Sequence, residues 1–444
     1  MNKKLLKLLA LPLLGMNCVL MHGQTAMELA AEMYPGWNLG NTLEAVQCTW
    51  VRDELEYETG WQRTMTTQEI IDYVKSQGFR SVRIPCSWYE HMDANYNISS
   101  RWMARVQEIV DYCIKDSLYV VLNDHFDGGW IERSFEGQTP ASVNKNIMIL
   151  GLMWKQIATR FRDYDHHLLF AGMNEPSAAN DNSTDKEQDI VTLRKYEQAF
   201  VNAVRQTGGY NAHRVLVVQG PTTDIDLAYQ YDAMPQDNVP SALMLEVHFY
   251  SPFNFCQMEE DEWWGYRFFY WGTGNHIAAT NYNATWGEEE FLKGQMEKMW
   301  EKYVSRGIPV YLGEYGALWR EMPKGESQNK HNASIYAWYK ATNKYAVANG
   351  IIPVVWDTNY CERTTGTGTI INRETLTIFN TKAYQGIIEG CAEATWPVTT
   401  GIGSVDELSA GKVADRIYDL MGHSLPDIPE HGVYILNGRK YFRK

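Results

Sequence analysis

The hydrophobic pattern along the chain alternates between two periods. Short apolar runs of strand length occur at 36–40, 79–85, 118–123, 167–173, 214–220, 243–250, 308–314 and 351–356. Between them lie longer stretches with an apolar residue every three to four positions, the signature of half-buried helices. The helical stretches are 66–78, 101–117, 142–162, 188–207, 288–306, 328–349 and 375–389. The first carries Thr66 and Glu69 at capping-box spacing, an apolar stripe of Ile70, Ile71 and Val74, and Gly78 as its stop. The fifth connection, 221–242, holds only a short helical piece. Eight strands, most followed by a helix, predict an α/β fold of the closed (β/α)8 type. An open doubly wound sheet is the rival, but no glycine-rich phosphate loop follows an early strand.

The strand ends carry the polar residues. The fourth run, LLFAGMNEP, passes from buried apolar side chains to Asn174 and Glu175 before Pro176 removes a backbone donor. The seventh, IPVYLGEYG, ends on Glu314. In a parallel barrel the C-terminal ends of the strands share one mouth. Collecting that end of each strand brings together Arg83, Asp124, His125, Asn174, Glu175, His248, Tyr250, Glu314 and Trp356. Two carboxylates across a mouth are the minimum equipment for glycoside hydrolysis. A carboxyl above an apolar core, as expected for Glu175, has a raised pKa suited to a general acid. Arg83 is suited to hold a carboxylate ionised, Tyr250 to donate a hydrogen bond to it, Asn174 to bind a sugar hydroxyl and Trp356 to stack on a sugar ring. Glu246 lies two residues before His248, on the same strand face but deeper, and reads as a buried supporting partner. Asp124, His125 and Asp127 could by residue type hold a cation, but they make no convincing metal triad, and no metal or other cofactor is expected. No GxSxG elbow or HExxH helix is present.

Composition narrows the classes. The chain has 444 residues, 45% of them hydrophobic, long enough for one large domain with insertions. A net charge of −14 argues against nucleic acid as a partner. Aromatic content is 13%, with 16 Trp. The sixth connection, 251–286, is dense in aromatics, among them Trp263, Trp264, Phe268, Phe269, Tyr270 and Trp271. Loops of that length usually serve function, and most of these rings are expected in a local core with one or two facing the cleft. Residues 1–23 read as a signal peptide, with Lys3, Lys4 and Lys7 ahead of an apolar segment too short to span a bilayer. Cys18 suggests a lipoprotein anchor, but Asn17 before it fits one poorly. The remaining six cysteines are scattered and show no zinc spacing.

The motifs GWNLGNTLEA, VRIP, LNDHFDGG, MNEP, HFY, GEYG and VVWDTN occur in the order found in glycoside hydrolase family 5, and over 36–390 the chain resembles that family of retaining β-glycanases. Its secreted Bacteroidetes endo-β-1,4-glucanases (cellulases) are the nearest in pattern. The resemblance implies Glu175 as acid/base and Glu314 as nucleophile, with Arg83, His125, Asn174, His248, Tyr250 and Trp356 binding substrate. Where many members have two adjacent histidines, Phe126 follows His125 here. The implied partner is a β-glucan polysaccharide, cleaved by a secreted monomer without a membrane span. A β-mannanase, xyloglucanase or mixed-linkage glucanase would use the same barrel, and a catalytically dead glycan-binding barrel is the reading from another class. Residues 24–390 are then the catalytic domain, 391–412 a linker and 413–444 a short tail with strand-like pieces at 416–420 and 432–436. The tail resembles the end of Bacteroidetes sorting domains.

Overall fold

The computed structural model describes residues 24–397 and, beyond them, 402–403, 417–418, 424–425, 429, 432–436 and 439–443. The signal-peptide segment and most of the expected linker lie outside the described residues. Eight parallel strands close into a barrel in chain order. They are β1 (Gly36–Asn38), β2 (Ser81–Ile84), β3 (Tyr119–Asn123), β4 (Leu168–Ala171), β5 (Leu216–Gln219), β6 (Leu243–Phe249), β7 (Val310–Tyr315) and β8 (Ile351–Val355). β1 pairs with both β2 and β8, which completes the ring. The (β/α)8 fold expected from the periodicity is therefore the fold observed.

Strand geometry sorts side chains between two cores. Residues on one face of each strand point out against the helices, where Val82, Val120, Leu122, Phe170, Leu216 and Leu312 join the outer core. Their neighbours point inward. Val121, Leu169, Val217, Met244, Tyr311 and Ile352 fill the lower barrel together with Leu29 and Met33. The short helix Ala26–Ala30, capped by Thr25, plugs that lower end. Higher inside the barrel the inward positions turn polar: Asn38, Arg83, Gln219, Glu246 and His248 are all buried. The lower half is sealed by apolar packing, and the upper half is left for chemistry.

Two element boundaries differ from the sequence expectation for identifiable reasons. The first helix is Gln68–Ser76, and its N-cap Thr67 makes no side-chain cap bond. Thr66 does not form the expected capping box, because its backbone is already engaged. Its N–H donates to Glu58 Oε1 at 2.7 Å and its carbonyl accepts from Arg105 Nη2 at 2.7 Å. The last helix is Thr381–Glu393, starting after 375, because Ile371–Asn372 and Thr377–Ile378 pair antiparallel and Asn380 then caps the helix through Ala383 N–H. The helix ends three residues past 390, and Trp396 stacks on Tyr34 at 5.0 Å. In the tail, the pieces expected near 416–420 and at 432–436 are strands of a five-stranded, mostly antiparallel sheet. The six described cysteines are all unpaired.

The last helix lies close on Gln328–Ala348 because Gly386 and Gly390 face it. A Cβ added at Gly390 would lie 2.5 Å from the Lys340 carbonyl oxygen, and one at Gly386 2.6 Å from that of Tyr336. Gly390→Ala gains helix propensity of up to about 1 kcal/mol but forces two backbones apart at a cost of about 1–3 kcal/mol. The expected outcome is a lower melting temperature by calorimetry; a melting temperature equal to or above that of wild type would exclude this packing argument.

Candidate active site

The site is built around Arg83, which points up inside the barrel from β2 with no exposed surface. Its Nη1 donates to Asn38 Oδ1 at 3.0 Å and to Glu314 Oε1 at 2.8 Å, and its Nη2 donates to Asn174 Oδ1 at 2.8 Å. Nε lies 3.0 Å from Glu246 Oε1. One planar guanidinium therefore ties together β1, β2, β6, β7 and the loop after β4, a fork geometry that lysine cannot reproduce. Burial alone would push the guanidinium pKa down, but the charges of Glu246 and Glu314 outweigh that and hold it above its ordinary value.

Glu314 reaches the mouth through a bulge. Leu312 stands opposite Val247 and Glu314 opposite His248, so Gly313 is left unpaired between them. The extra residue resets the alternation and turns Glu314 inward. Only glycine fits there: a Cβ on Gly313 would fall 2.0 Å from Glu246 Oε1. Tyr250 donates its hydroxyl to Glu314 Oε2 at 2.9 Å. Burial raises the Glu314 pKa, but the charges of His248 and Arg83 and the Tyr250 hydrogen bond prevail and hold it at about 2. The carboxylate is thus ionised at any working pH.

Glu175 is placed differently. Its side chain is 43% exposed, so the desolvated carboxyl expected from the sequence is not found; the loop after β4 carries it above the apolar layer, into the open cleft. Its Oε1 lies 2.7 Å from His248 Nδ1. His248 Nε2 faces Glu246 Oε1 at 3.3 Å, and Nδ1 is 3.8 Å from Glu314 Oε2. Burial pushes the His248 pKa down, but the surrounding carboxylates Glu314, Glu175 and Glu246 raise it to about 10. An oxygen of Glu175, an oxygen of Glu314 and a ring nitrogen of His248 all lie within 4.8 Å of one another.

His125 and Trp356 complete the set. Their rings stack at 5.6 Å and 11°, and His125 Nε2 is 3.9 Å from Glu314 Oε1. Burial lowers the His125 pKa to about 3, so the ring is neutral. Trp356 is held from behind: its neighbour Asp357 accepts from Trp37 Nε1 at 2.7 Å and from Ile371 N–H at 3.0 Å. Asp127, a candidate cation ligand by residue type, instead accepts the backbone N–H groups of Trp88, Tyr89 and Glu90. All eight residues singled out as catalytic or substrate-binding converge on this mouth.

Supporting residues that the sequence reading passed over lie behind them. Glu132 Oε1 accepts the Glu175 backbone N–H at 2.8 Å, and burial raises the Glu132 pKa to about 7. Gln219 accepts from Met173 N–H at 2.9 Å and donates to Glu246 Oε2 at 2.6 Å. Glu197 accepts the Gln219 N–H at 2.8 Å. Glu132 sits in a loop and Glu197 on a helix, so neither shows a local signal; Gln219 closes β5 and was recoverable from the strand-end rule. A cavity of about 440 Å³ opens beside Tyr250 and Trp356, and a second of about 390 Å³, lined by Trp50 and Trp61, shares Tyr360 with it.

The family description "Cellulase (glycosyl hydrolase family 5)" matches residues 46–362. The chain is 35% identical over 359 residues to a xyloglucan-specific endo-β-1,4-glucanase of Bacteroides ovatus, covering 78% of this chain and 68% of that one. It is 34% identical over 363 residues to endoglucanase A of Paenibacillus barcinonensis, covering 77% and 84%. Among solved structures, a xyloglucan-specific β-1,4-glucanase from a ruminal metagenomic library, in complex with XXLG, superposes with a TM-score of 0.78 at 46% identity over 84% of this chain and 98% of that one.

Two measurements test the electrostatics. Arg83→Met leaves Glu246 and Glu314 buried without their cation and should cost about 3–5 kcal/mol of stability in denaturant unfolding. Retained stability would mean that the guanidinium is not needed to balance those charges. His248 has a raised folded pKa, so its stabilisation is complete below about 6.5, the unfolded value, and is lost as pH rises through about 10. Glu314, lowered to about 2, stays ionised across that window and contributes no slope. The melting-temperature margin of wild type over His248→Asn should therefore be largest near pH 6 and shrink by pH 10; a margin independent of pH would show that the histidine is neutral.

Proposed function

This chain belongs to glycoside hydrolase family 5, and on that basis we propose that it cleaves the β-1,4-linked glucan backbone of xyloglucan and related polysaccharides, with Glu314 as nucleophile and Glu175 as acid/base. The observation that carries the two roles is the approach of their carboxylate oxygens to within 4.8 Å. Retaining glycosidases hold the pair about 5–5.5 Å apart, whereas inverting ones leave about 6.5–9.5 Å for a water molecule. Glu314, ionised and fixed by Arg83 and Tyr250, attacks the anomeric carbon from below. Glu175, oriented by its 2.7 Å contact with His248, delivers a proton to the departing oxygen. Glu175 then takes a proton from the water that releases the sugar from Glu314. Tyr250 lets go of no proton in this cycle: burial and the Glu314 charge hold its hydroxyl pKa far above the ordinary value. Neutral His125 and the Trp356 face border the sugar held at Glu314.

The sequence motifs alone favour unbranched cellulose. Likeness to two xyloglucan-specific enzymes, one at 46% identity over nearly its whole length, supports a branched glucan instead. The two cavities that share Tyr360 in their lining support it too, since side-chain sugars need room beside the backbone. No helix among the described residues is long and apolar enough to cross a membrane. The basic and then apolar N-terminal residues support a secreted enzyme.

Reducing-sugar release from xyloglucan, carboxymethylcellulose, barley β-glucan and glucomannan tests both parts. Wild type is expected to act fastest on xyloglucan. Glu175→Gln and Glu314→Gln should each lower kcat by about 10²-fold or more on the best substrate. A preference for carboxymethylcellulose would restore the cellulase reading with the same mechanism. Full activity in either variant would remove that residue from its role.

A further inference from the structure

The sixth connection divides its aromatics into two populations. Phe268, Phe269, Tyr270 and Trp271 are buried, whereas Trp263 is 93% exposed, Trp264 50% and Phe253 44%. The backbone that carries the exposed rings is fixed. Glu262 and Gly265 exchange both backbone hydrogen bonds, at 2.9 and 3.1 Å, so Trp263 and Trp264 are the two central residues of a tight hairpin turn. The base of the turn is clamped by Arg267, which donates to Asp261 Oδ1 from its backbone N–H at 3.0 Å and from Nε at 2.9 Å. Buried Asn254 gathers the rest: its Nδ2 donates to the Tyr266 carbonyl at 2.8 Å, and its Oδ1 accepts from Trp286 Nε1 at 3.2 Å. The Trp264 ring lies 6.2 Å from that of Phe253, and Phe253 lines the same cavity as Tyr250 and Trp356.

We propose that Trp263, Trp264 and Phe253 form a glycan-binding surface that continues the catalytic cleft and holds a neutral polysaccharide chain beyond the bond being cut. This rests on the glycan-hydrolase reading. The occupant follows from three features. The patch is continuous with the cleft through Phe253, as a single extended polymer requires. Its rings are flat, electron-rich faces, and a sugar ring presents C–H groups to such a face. Four exposed acids flank the patch, Glu259, Glu260, Asp261 and Glu262, against two arginines, Arg267 on Asp261 and Arg363 on Glu259; the surplus of negative charge disfavours nucleic acid or an anionic lipid surface and leaves an uncharged glycan unopposed. A paired turn already orders the backbone beneath the two tryptophans, so that part of the cost of binding is met before a glycan arrives.

The test compares wild type with a Trp263→Ala/Trp264→Ala double variant. Binding is read by affinity gel electrophoresis in xyloglucan and in barley β-glucan, with Glu175→Gln present in both proteins to stop cleavage. Kinetics are read in the active background on xyloglucan and on a short aryl cello-oligosaccharide. The double variant should lose most of the gel retardation and raise KM for the polymer about fivefold or more, with kcat/KM on the short substrate unchanged. The substitutions are at exposed turn positions, and an unchanged melting temperature checks the fold. Retardation equal to wild type overturns the proposal, as does an equal loss on polymer and short substrate. A wild-type dimer in size-exclusion chromatography that the double variant abolishes would assign the patch to self-association and overturn it too. Wild type that cleaves no glycan fails the glycan-hydrolase reading itself, whereas wild type that cleaves glycan without the expected difference fails only the surface.

Discussion

The buried guanidinium of Arg83 is the interaction on which the upper barrel depends. A charge taken fully out of water is tolerated only when its charge is balanced and its donors meet polar partners. Here hydrogen bonds go to Asn38, Asn174 and Glu314, and the Glu246 carboxylate, 3.0 Å from Nε, supplies further balancing charge; the four come from β1, the loop after β4, β7 and β6. These groups meet only when the barrel is closed in the right register. The same contact therefore reports correct assembly of the strands and sets the ionisation of Glu314. Apolar packing below, under the Ala26–Ala30 plug, frees the upper strands to carry polar side chains inward.

The two carboxylates of the mouth have one chemistry and two environments. Glu314 is enclosed, paired with Arg83, bonded by Tyr250 and held ionised. Glu175 stands in the open cleft, attached by its backbone to Glu132 and by its side chain to His248. A polysaccharide lying over the mouth would remove its water and strengthen every charge interaction around it. His248 links both groups, since it touches Glu175 directly, faces Glu246 and stands within 3.8 Å of Glu314. The glycine at 313 belongs to the same arrangement, because without it neither the bulge nor the Glu246 carboxylate could occupy its place.

Local backbone geometry made much of this legible from the chain. Strand and helix periods of 2 and 3.6 residues are properties of short segments, so the eight runs and most helices could be located before any contact was known. The barrel then follows from their alternation, and strand-end residues from the direction of parallel strands. Errors arose where a distant partner intervened. Thr66 has the right neighbours for a capping box, but Glu58 and Arg105 hold its backbone. The stretch after Thr375 has helical residues, but 377–378 pairs with 371–372 first.

What the sequence by itself determined was the order of the elements, the mouth at which the candidate residues gather and the identity of the residues that gather there. Each of these depends on spacing along one chain. Only the tertiary structure decided the environment of each residue: that Glu175 is open and Glu314 enclosed, that Glu132, Gln219 and Glu197 support them, and that Trp263 and Trp264 face solvent while Trp271 is buried. Burial, charge pairing and ionisation are sums over neighbours brought close in space, and residues as far apart as Arg83 and Glu314 have no local pattern that announces their meeting.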